Sequence, residues 1–202
     1  SENQLGEEIS YRYNRSGDLL GWTDERGVSA TLLRDAGGRV GGIVNDLGEL
    51  DLRKYNQAGL IRSRKTGEQE IRYTHDREGR VVKIDYGNGQ RVTNEFDDVG
   101  RLAKSTSGEV ITQYRYDLLD RVTHILETLP GGVEALVEYT YTPGGRKASV
   151  RFLKTEKGRV KTDVTTTTTY DKLGRETAIY VNRQKRVVYG YTPGSLKVRT
   201  KW

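Results

Sequence analysis

A four-residue unit recurs nine times along this chain of 202 residues, and no other feature constrains its fold as much. Each copy begins with Asn, Asp or Thr, and seven of the nine end with Gly. The last residues of successive copies are separated by 21, 21, 20, 21, 20, 25, 29 and 21 residues. A nearly fixed period of this length predicts an array of similar supersecondary units. The nine copies occupy residues 14–17, 35–38, 56–59, 76–79, 97–100, 117–120, 142–145, 171–174 and 192–195.

The unit has the composition of a tight turn. Asp or Asn at its first position accepts hydrogen bonds from nearby backbone amides, and Gly at its fourth adopts positive φ without strain. Closed by a residue in the left-handed region, such a turn forms a three-residue hairpin loop with a bulge. Asp120, which ends one copy, is a suitable substitute because Asp tolerates that region. The predicted turn residues are Asn14, Gly17, Asp35, Gly38, Asn56, Gly59, Asp76, Gly79, Asp97, Gly100, Asp117, Asp120, Thr142, Gly145, Asp171, Gly174 and Thr192.

The residues beside each turn predict paired strands. An aliphatic residue lies five places after the first turn residue in the first six copies, opposite the residue that precedes the turn. Five copies place Arg four residues after the turn Asp, as in Asp117 and Arg121, and we expect these charged pairs on the other face of the sheet. One face is therefore predicted to be apolar and the other charged. The residue before the turn is aromatic in seven copies: Tyr13, Tyr55, Phe96, Tyr116, Tyr141, Tyr170 and Tyr191.

Further breaks between the turns, among them residues 24–27 and 87–89, return the chain in the opposite direction. The intervals leave about eighteen strands of roughly 6–10 residues, a normal strand length, and no segment is predicted to be helical. The 24 Gly and 13 Tyr residues agree with many short strands and tight turns. We predict an all-β, long antiparallel meander of about nine hairpin repeats, in a single region over residues 1–202 with no second domain. A β-propeller with two repeats in each blade is the alternative, although nine repeats close such a ring poorly.

Composition and residue spacing argue against several function classes. The chain has no Cys and no apolar stretch near the roughly 20 residues of a membrane helix. Of its two histidines, His75 occupies an aromatic position before a turn and His124 lies between aliphatic residues, and no pair has metal-ligand spacing. We predict that the chain is not an enzyme, with no catalytic, metal-binding or cofactor-binding residue and no cofactor. The basic residues 53–54 and 62–65 are predicted to be a solvated strand edge, and no nucleic acid is expected as a partner.

The segments at 11–17, 114–122 and 169–175 resemble the tyrosine–aspartate (YD) repeat of the Rhs family, and the resemblance extends over residues 9–198. That family includes bacterial Rhs polymorphic toxins, the encapsulating component of insecticidal toxin complexes, and teneurins. The resemblance implies a strand meander that spirals into a hollow shell, which in bacterial members holds a carboxy-terminal toxin. Family shells are far longer than this chain, and the Asp-Pro-x-Gly-Leu-like motif of their self-cleaving segment is not found here. With no Met in the sequence, we expect an interior piece of a larger shell.

The resemblance therefore implies a structural role, as part of a hollow β-cage that encloses or presents another polypeptide. The expected partners are other parts of the same shell, an enclosed toxin polypeptide, and further copies through self-association, with no membrane span. The expected location is secreted or at the cell surface of a bacterium. The alternative is an extracellular recognition module that binds glycans or a partner protein through exposed tyrosines, although the sequence identifies no sugar site. The threonine tract at 165–169 is predicted to be an ordinary strand.

Overall fold

A computed structural model describes residues 8–48, 50–191 and 197–201, with the backbone alone for residue 50 and residues 197–201. The predicted turn at 192–195, with Thr192, lies outside the described residues. Those that are described form eighteen strands and no helix. The strands are β1 (Ser10–Tyr13), β2 (Leu19–Thr23), β3 (Ser29–Arg34), β4 (Val40–Asn45), β5 (Leu50–Tyr55), β6 (Ile61–Thr66), β7 (Gln69–His75), β8 (Val81–Asp85), β9 (Arg91–Phe96), β10 (Leu102–Ser107), β11 (Val110–Tyr116), β12 (Val122–Leu129), β13 (Val133–Tyr141), β14 (Lys147–Glu156), β15 (Arg159–Tyr170), β16 (Glu176–Val181), β17 (Gln184–Tyr191) and β18 (Lys197–Lys201).

The contacts divide the chain into two compact units, Ser1–Thr93 and Asn94–Trp202. The first unit ends within β9, at Thr93, and each of its strands from β1 to β8 pairs with the next along the chain; in the second unit the same holds from β10 to β18. The printed registers are all antiparallel, for example Ile125 of β12 opposite Val137 of β13. This consecutive order confirms the predicted antiparallel meander and differs from the separate four-stranded blades of a propeller. That the chain is one region without a second domain stays a prediction.

A β-bulge lies on the strand that follows most of the repeated turns. In the hairpin of β11 and β12, Arg115 lies opposite His124, but the next residue, Tyr116, lies opposite Val122. The β12 strand thus contains one extra residue, Thr123, whose hydroxyl donates to the carbonyl oxygen of Arg115 at 3.2 Å. Six other hairpins also have one extra residue on the strand after the turn. Because a bulge changes the direction of the side chains beside it, the first residues after these turns do not follow the simple alternation of the strand.

The two units contain very little buried core. Among the described residues, the buried apolar side chains are Ala30, Ala178 and Val187, and no large side chain is fully buried. Ridges of half-buried aliphatic and aromatic residues cross the strands instead, and Phe152 in β14 remains 38% exposed. Since burial of apolar surface is the main driving force of folding, the meander depends on its backbone ladder and on contacts between neighbouring hairpins, as repeat proteins do.

The two faces of the second unit differ in chemistry, broadly as predicted. One cross-strand row places Ile125, Val137 and Phe152 side by side. The neighbouring row on the opposite face places His124, Glu138 and Arg151 side by side. The separation is incomplete, because Leu126, Leu136 and Leu153 form a further row on the charged face.

Candidate functional site

Eight of the nine predicted turns lie among the described residues, and all eight have the same backbone geometry. The amide of the fourth residue donates to the carbonyl oxygen of the first at 2.9–3.2 Å, and the amide of the first donates to the carbonyl oxygen of the fifth at 2.8–3.0 Å. The fourth residue has positive φ in every case, from 59° at Asp120 to 93° at Gly100. These are the features of a type I turn closed by a left-handed residue in a bulged hairpin.

The first side chain of the turn holds both the backbone and the following Arg. In the turn at 117–120, one carboxylate oxygen of Asp117 accepts the amides of Leu119 at 2.9 Å and Arg121 at 3.1 Å. The other oxygen accepts the Arg121 Nε–H at 2.7 Å. Equivalent ion pairs measure 2.6–2.8 Å in five hairpins, namely Asp35–Arg39, Asp76–Arg80, Asp97–Arg101, Asp117–Arg121 and Asp171–Arg175.

These contacts favour the charged form of the turn carboxylates. The hydrogen bond from the Arg121 side chain is the largest cause that lowers the pKa of Asp117; desolvation opposes it, and the amides of Arg121 and Leu119 lower it further. The pKa of Asp35 is lowered in the same way, first by the Arg39 side chain. The turn Asp is thus an ionised anchor that fixes the position of its Arg.

The Arg of one hairpin stacks on the Tyr that precedes the next turn of the same type. The guanidinium carbon of Arg121 lies 4.4 Å from the ring centre of Tyr141, within the range of a cation–π contact. Three other hairpins repeat this arrangement at 4.2–4.6 Å, with the pairs Arg39–Tyr55, Arg101–Tyr116 and Arg175–Tyr191.

The hydroxyl of the same Tyr reaches back to the preceding hairpin. Tyr141 donates to the carbonyl oxygen of Val122 at 2.6 Å. Because the acceptor is a backbone atom, the contact survives where Lys147 and Glu176 replace the usual aliphatic residue. The five bonds of this kind, at 2.6–2.8 Å, are Tyr55 to Val40, Tyr116 to Leu102, Tyr141 to Val122, Tyr170 to Lys147 and Tyr191 to Glu176.

We call the resulting arrangement the Asp–Arg–Tyr ladder: the turn Asp, its Arg, and the Tyr that precedes the next repeated turn. Among the residues that the structure describes, four rungs are complete: Asp35–Arg39–Tyr55, Asp97–Arg101–Tyr116, Asp117–Arg121–Tyr141 and Asp171–Arg175–Tyr191. This contact was not predicted from the sequence, because strict alternation places the Arg and the Tyr on opposite faces. The bulge on the strand after the turn is the reason, since strict alternation does not hold beside the Arg.

Variant copies show what each ladder member contributes. Thr142 replaces Asp in one turn, and its hydroxyl accepts only the Arg146 amide at 3.1 Å. Without a carboxylate to hold it, the Arg146 guanidinium lies 6.0 Å from the Tyr170 ring centre, farther than in the complete rungs. In the first copy the donor and acceptor roles are exchanged, since the side-chain Nδ2 of the first turn residue, Asn14, donates to the carboxylate of the fifth, Asp18, at 2.8 Å.

The remaining predicted positions differ from the ladder. Tyr13 is 59% exposed, and Phe96 has no hydroxyl to donate. Residues 24–27, interpreted from sequence as a simple break, have the full turn geometry. The Gly27 amide donates to the Asp24 carbonyl oxygen at 2.9 Å, and the Asp24 carboxylate accepts the Val28 amide at 2.9 Å. The signal was present as Asp and Gly at the right spacing, but it falls outside the repeat period.

A charged cluster in the second unit includes His124. Its Nε2 lies 3.4 Å from a Glu138 carboxylate oxygen, and the other Glu138 oxygen accepts from Arg151 at 2.9 Å. Arg151 also pairs with Asp163 at 2.8 Å, and these carboxylates raise its pKa. The Glu138 carboxylate is thus shared between Arg151 and the His124 ring, and with Asp163 these side chains form one connected polar network. Among the described residues, no group of His, Asp and Glu side chains has a metal-binding arrangement, and no helix is long and apolar enough to cross a membrane.

The basic patch of the first unit is interrupted by an acid. Asp51 accepts from Arg53 at 3.0 Å and from Arg64 at 3.0 Å. This carboxylate neutralises part of the positive charge that a phosphate backbone would require.

An open cleft lies on the first unit beside Trp22. Its volume is about 920 Å³, and it is lined by the indole of Trp22, by apolar side chains that include Ile43, and by the polar residues Asn45 and Asp51. Ala30 is the cross-strand neighbour of Trp22, and its small side chain leaves space beside the ring. A concave site with an aromatic wall and a few polar groups is typical of small-ligand sites.

Comparison with known proteins gives matches in structure alone. No family model matches the chain, and no curated protein matches it in sequence. Two solved structures, titled "Crystal Structure of TcdB2-TccC3-TEV" and "Crystal Structure of TcdB2-TccC3-Cdc42", match 94% of this chain with TM-scores of 0.54 and 0.53 at 17% sequence identity. The chain spans 12% of the length of the chains it matches.

The match covers nearly all of the meander, and the resemblance indicated by the sequence is thereby confirmed at the level of the fold. The chain has the fold of a β-shell segment, that of the matched stretch of TcdB2-TccC3.

Proposed function

We propose that this chain is a wall segment of an Rhs-type β-cage, a structural element that encloses or presents another polypeptide. The observation that carries the proposal is the Asp–Arg–Tyr ladder in a sheet with almost no buried core. Each complete rung of the ladder joins one hairpin to the next through contacts near the repeated turns. Neither face of a unit packs into a globular core among the described residues, so both faces of the sheet are available as the inner and outer surfaces of a wall.

The similarity to TcdB2-TccC3 supports a role within a much larger assembly, since the chain corresponds to 12% of that length. The proposed partners are further segments of the same shell and the polypeptide inside it. On the Rhs resemblance we also propose a secreted or cell-surface location in a bacterial polymorphic toxin or large surface protein. The role is structural, and the ion-pair networks of the described residues support stability and not catalysis.

Limited proteolysis of the full polypeptide that contains this chain tests the proposal. The variant Tyr116→Ala/Tyr141→Ala removes two neighbouring rungs of the ladder, and Tyr13→Ala is the matched control because Tyr13 is exposed. We expect the double variant to make the enclosed polypeptide sensitive to a protease that leaves it intact in the wild type and the control. Equal protection in all three proteins, with the loss of both rungs verified by hydrogen exchange, would contradict a wall function.

Ligand recognition is the second candidate function, and the Trp22 cleft is the observation that favours it. The ladder tyrosines are poorly suited to recognition, because an Arg covers one ring face and the hydroxyl is bound to a carbonyl oxygen. A glycan array followed by fluorescence titration tests this candidate, with Trp22→Ala and Tyr141→Phe compared in parallel. Saturable binding that only Trp22→Ala abolishes would favour recognition through the cleft. Loss of binding with Tyr141→Phe would instead favour recognition through the tyrosines.

A further inference from the structure

We propose that Asn88, in the turn between β8 and β9, is a site of spontaneous deamidation that converts it to a mixture of Asp and isoaspartate. The Gly89 backbone nitrogen attacks the side-chain amide carbon of Asn88 and forms a new C–N bond. The bond from that carbon to Nδ2 breaks, and ammonia leaves with the proton from the Gly89 nitrogen. Water then opens the cyclic imide at either carbonyl, which gives Asp or isoaspartate. The net change is hydrolysis of one amide, and water is the sole co-reactant.

The sequence contains this dipeptide once. Asn88 is the only Asn in the chain that is followed by Gly. Gly has no side chain to hinder the approach of its nitrogen to the neighbouring amide carbon. No atom lies within 4 Å of the position that a Cβ of Gly89 would occupy, so the space around the attacking residue is open.

The turn leaves the nucleophile free and polarises the electrophile. No hydrogen bond joins the Gly89 amide to any partner within the part of the chain that is described. The Asn88 Oδ1 accepts the Gln90 amide at 3.0 Å, which draws electron density from the carbon under attack. Strand pairing begins outside the reacting residues, where the Tyr86 amide donates to the Gln90 carbonyl oxygen at 3.1 Å. The two reacting residues are exposed, so water reaches the imide without unfolding of either strand.

The asparagines of the repeated turns lack this combination. Asn14 precedes Arg15, and its side-chain oxygen is bound by the amides of Ser16 at 2.9 Å and Asp18 at 2.8 Å. Its Nδ2 donates to the Asp18 carboxylate at 2.8 Å, whereas the Asn88 Nδ2 donates to the uncharged Gln90 side-chain oxygen at the longer distance of 3.2 Å. The side chain is thus fixed by three contacts, and the following residue carries a Cβ. We therefore expect the repeated turns to resist the reaction that modifies Asn88.

Modification would change a turn that aligns two strands. Isoaspartate adds one main-chain carbon between Asp85 and Arg91, which lie opposite each other and whose side chains pair at 2.9 Å. The reaction also adds one negative charge three positions after Asp85 in the sequence. The β8–β9 hairpin is thus the place where this sheet would first change with age.

Peptide mapping after incubation at mildly alkaline pH tests the proposal, on the folded chain and on the chain in urea. The tryptic peptide of residues 84–91 contains the site. We expect it to gain the mass of an NH₂-to-OH exchange before any other Asn-containing peptide, and to become a substrate of an isoaspartyl methyltransferase. The rate in the folded chain should equal or exceed that in urea, because the turn is open and polarised.

Two variants provide matched controls. Gly89→Ala adds a methyl group beside the attacking nitrogen, and Asn88→Gln lengthens the side chain so that the imide ring is larger. Both should abolish the early mass gain in peptide 84–91 in the folded chain and in urea, where loss of the turn cannot be the cause. Earlier modification of another Asn, an unchanged rate in Gly89→Ala, or protection of Asn88 by folding would each overturn the proposal.

Discussion

The Tyr141 hydroxyl provides the sharpest test of whether successive hairpins stabilise one another. Replacement by Phe removes the 2.6 Å hydrogen bond to the Val122 carbonyl oxygen and leaves the ring beneath Arg121. A net hydrogen bond between uncharged groups contributes about 0.5–1.5 kcal/mol. Both residues are half-buried, so water can replace part of the lost contact. We expect the free energy of unfolding to fall by about 1 kcal/mol, toward the middle of that range.

Urea unfolding followed by far-ultraviolet circular dichroism measures this change, with thermal unfolding as a second reading. For a chain of this size, a loss of about 1 kcal/mol corresponds to a fall in Tm of roughly 2–4 °C. Hydrogen exchange locates the effect, which should be largest at the amides of β12 and β13. A change confined to β14 would place the stabilising contact elsewhere.

Tyr13→Phe is the matched control, because it makes the same chemical change at an exposed tyrosine. We expect its effect to stay within about 0.5 kcal/mol, as for most surface substitutions. Tyr116→Phe should repeat the result of Tyr141→Phe, since its hydroxyl bond to Leu102 measures 2.8 Å. The ladder account is refuted if the three substitutions have equal effects, or if Tyr141→Phe and Tyr116→Phe leave the urea midpoint unchanged.

Three further predictions concern the turns. The variant Thr142→Asp should hold the Arg146 guanidinium over the Tyr170 ring and raise the free energy of unfolding by about 0.5–1 kcal/mol in urea titrations. The control Thr142→Asn caps the turn without adding a charge and should give no such gain. Arg121 Nη1 is buried without a hydrogen-bond partner, whereas the equivalent Arg101 atom binds Asp120. Gly145 occupies the turn position that corresponds to Asp120, and a Cβ there would lie 3.9 Å from Arg121 Nη1. The variant Gly145→Asp should therefore be more stable than Gly145→Asn by about 1 kcal/mol, and equal stability of the two variants would contradict this prediction. The ladder carboxylates have lowered pKa values in the folded protein. Their contribution to stability is therefore present above the unfolded pKa of about 3.9 and is lost as the pH falls through the folded pKa values. Urea midpoints measured against pH at low salt should decline below about pH 4, and a plateau down to pH 2 would contradict the prediction.

The hairpins were predictable from sequence because a turn is a local structure. The hydrogen bonds that define it join residues at most four positions apart, as between Asp117 and Arg121. The Asp and Gly at fixed spacing therefore predict both the turn and its bulge, and the regular repetition predicts the strand order. The 24–27 break was correctly predicted to reverse the chain, and only its turn type was not assigned, because the period was given more weight than the residues themselves.

The ladder could not be predicted in the same way. Arg121 and Tyr141 are twenty positions apart in the sequence, and they meet only because β12 and β13 pair in one register and a bulge redirects the side chains beside the turn. Alternation along a strand assigns such residues to opposite faces, and only the geometry of the sheet corrects that assignment. The turns, the strands and their order could thus be predicted from the residues along the chain, since they depend on near neighbours. The contacts between successive hairpins could not, because they join atoms that only pairing across the sheet brings together.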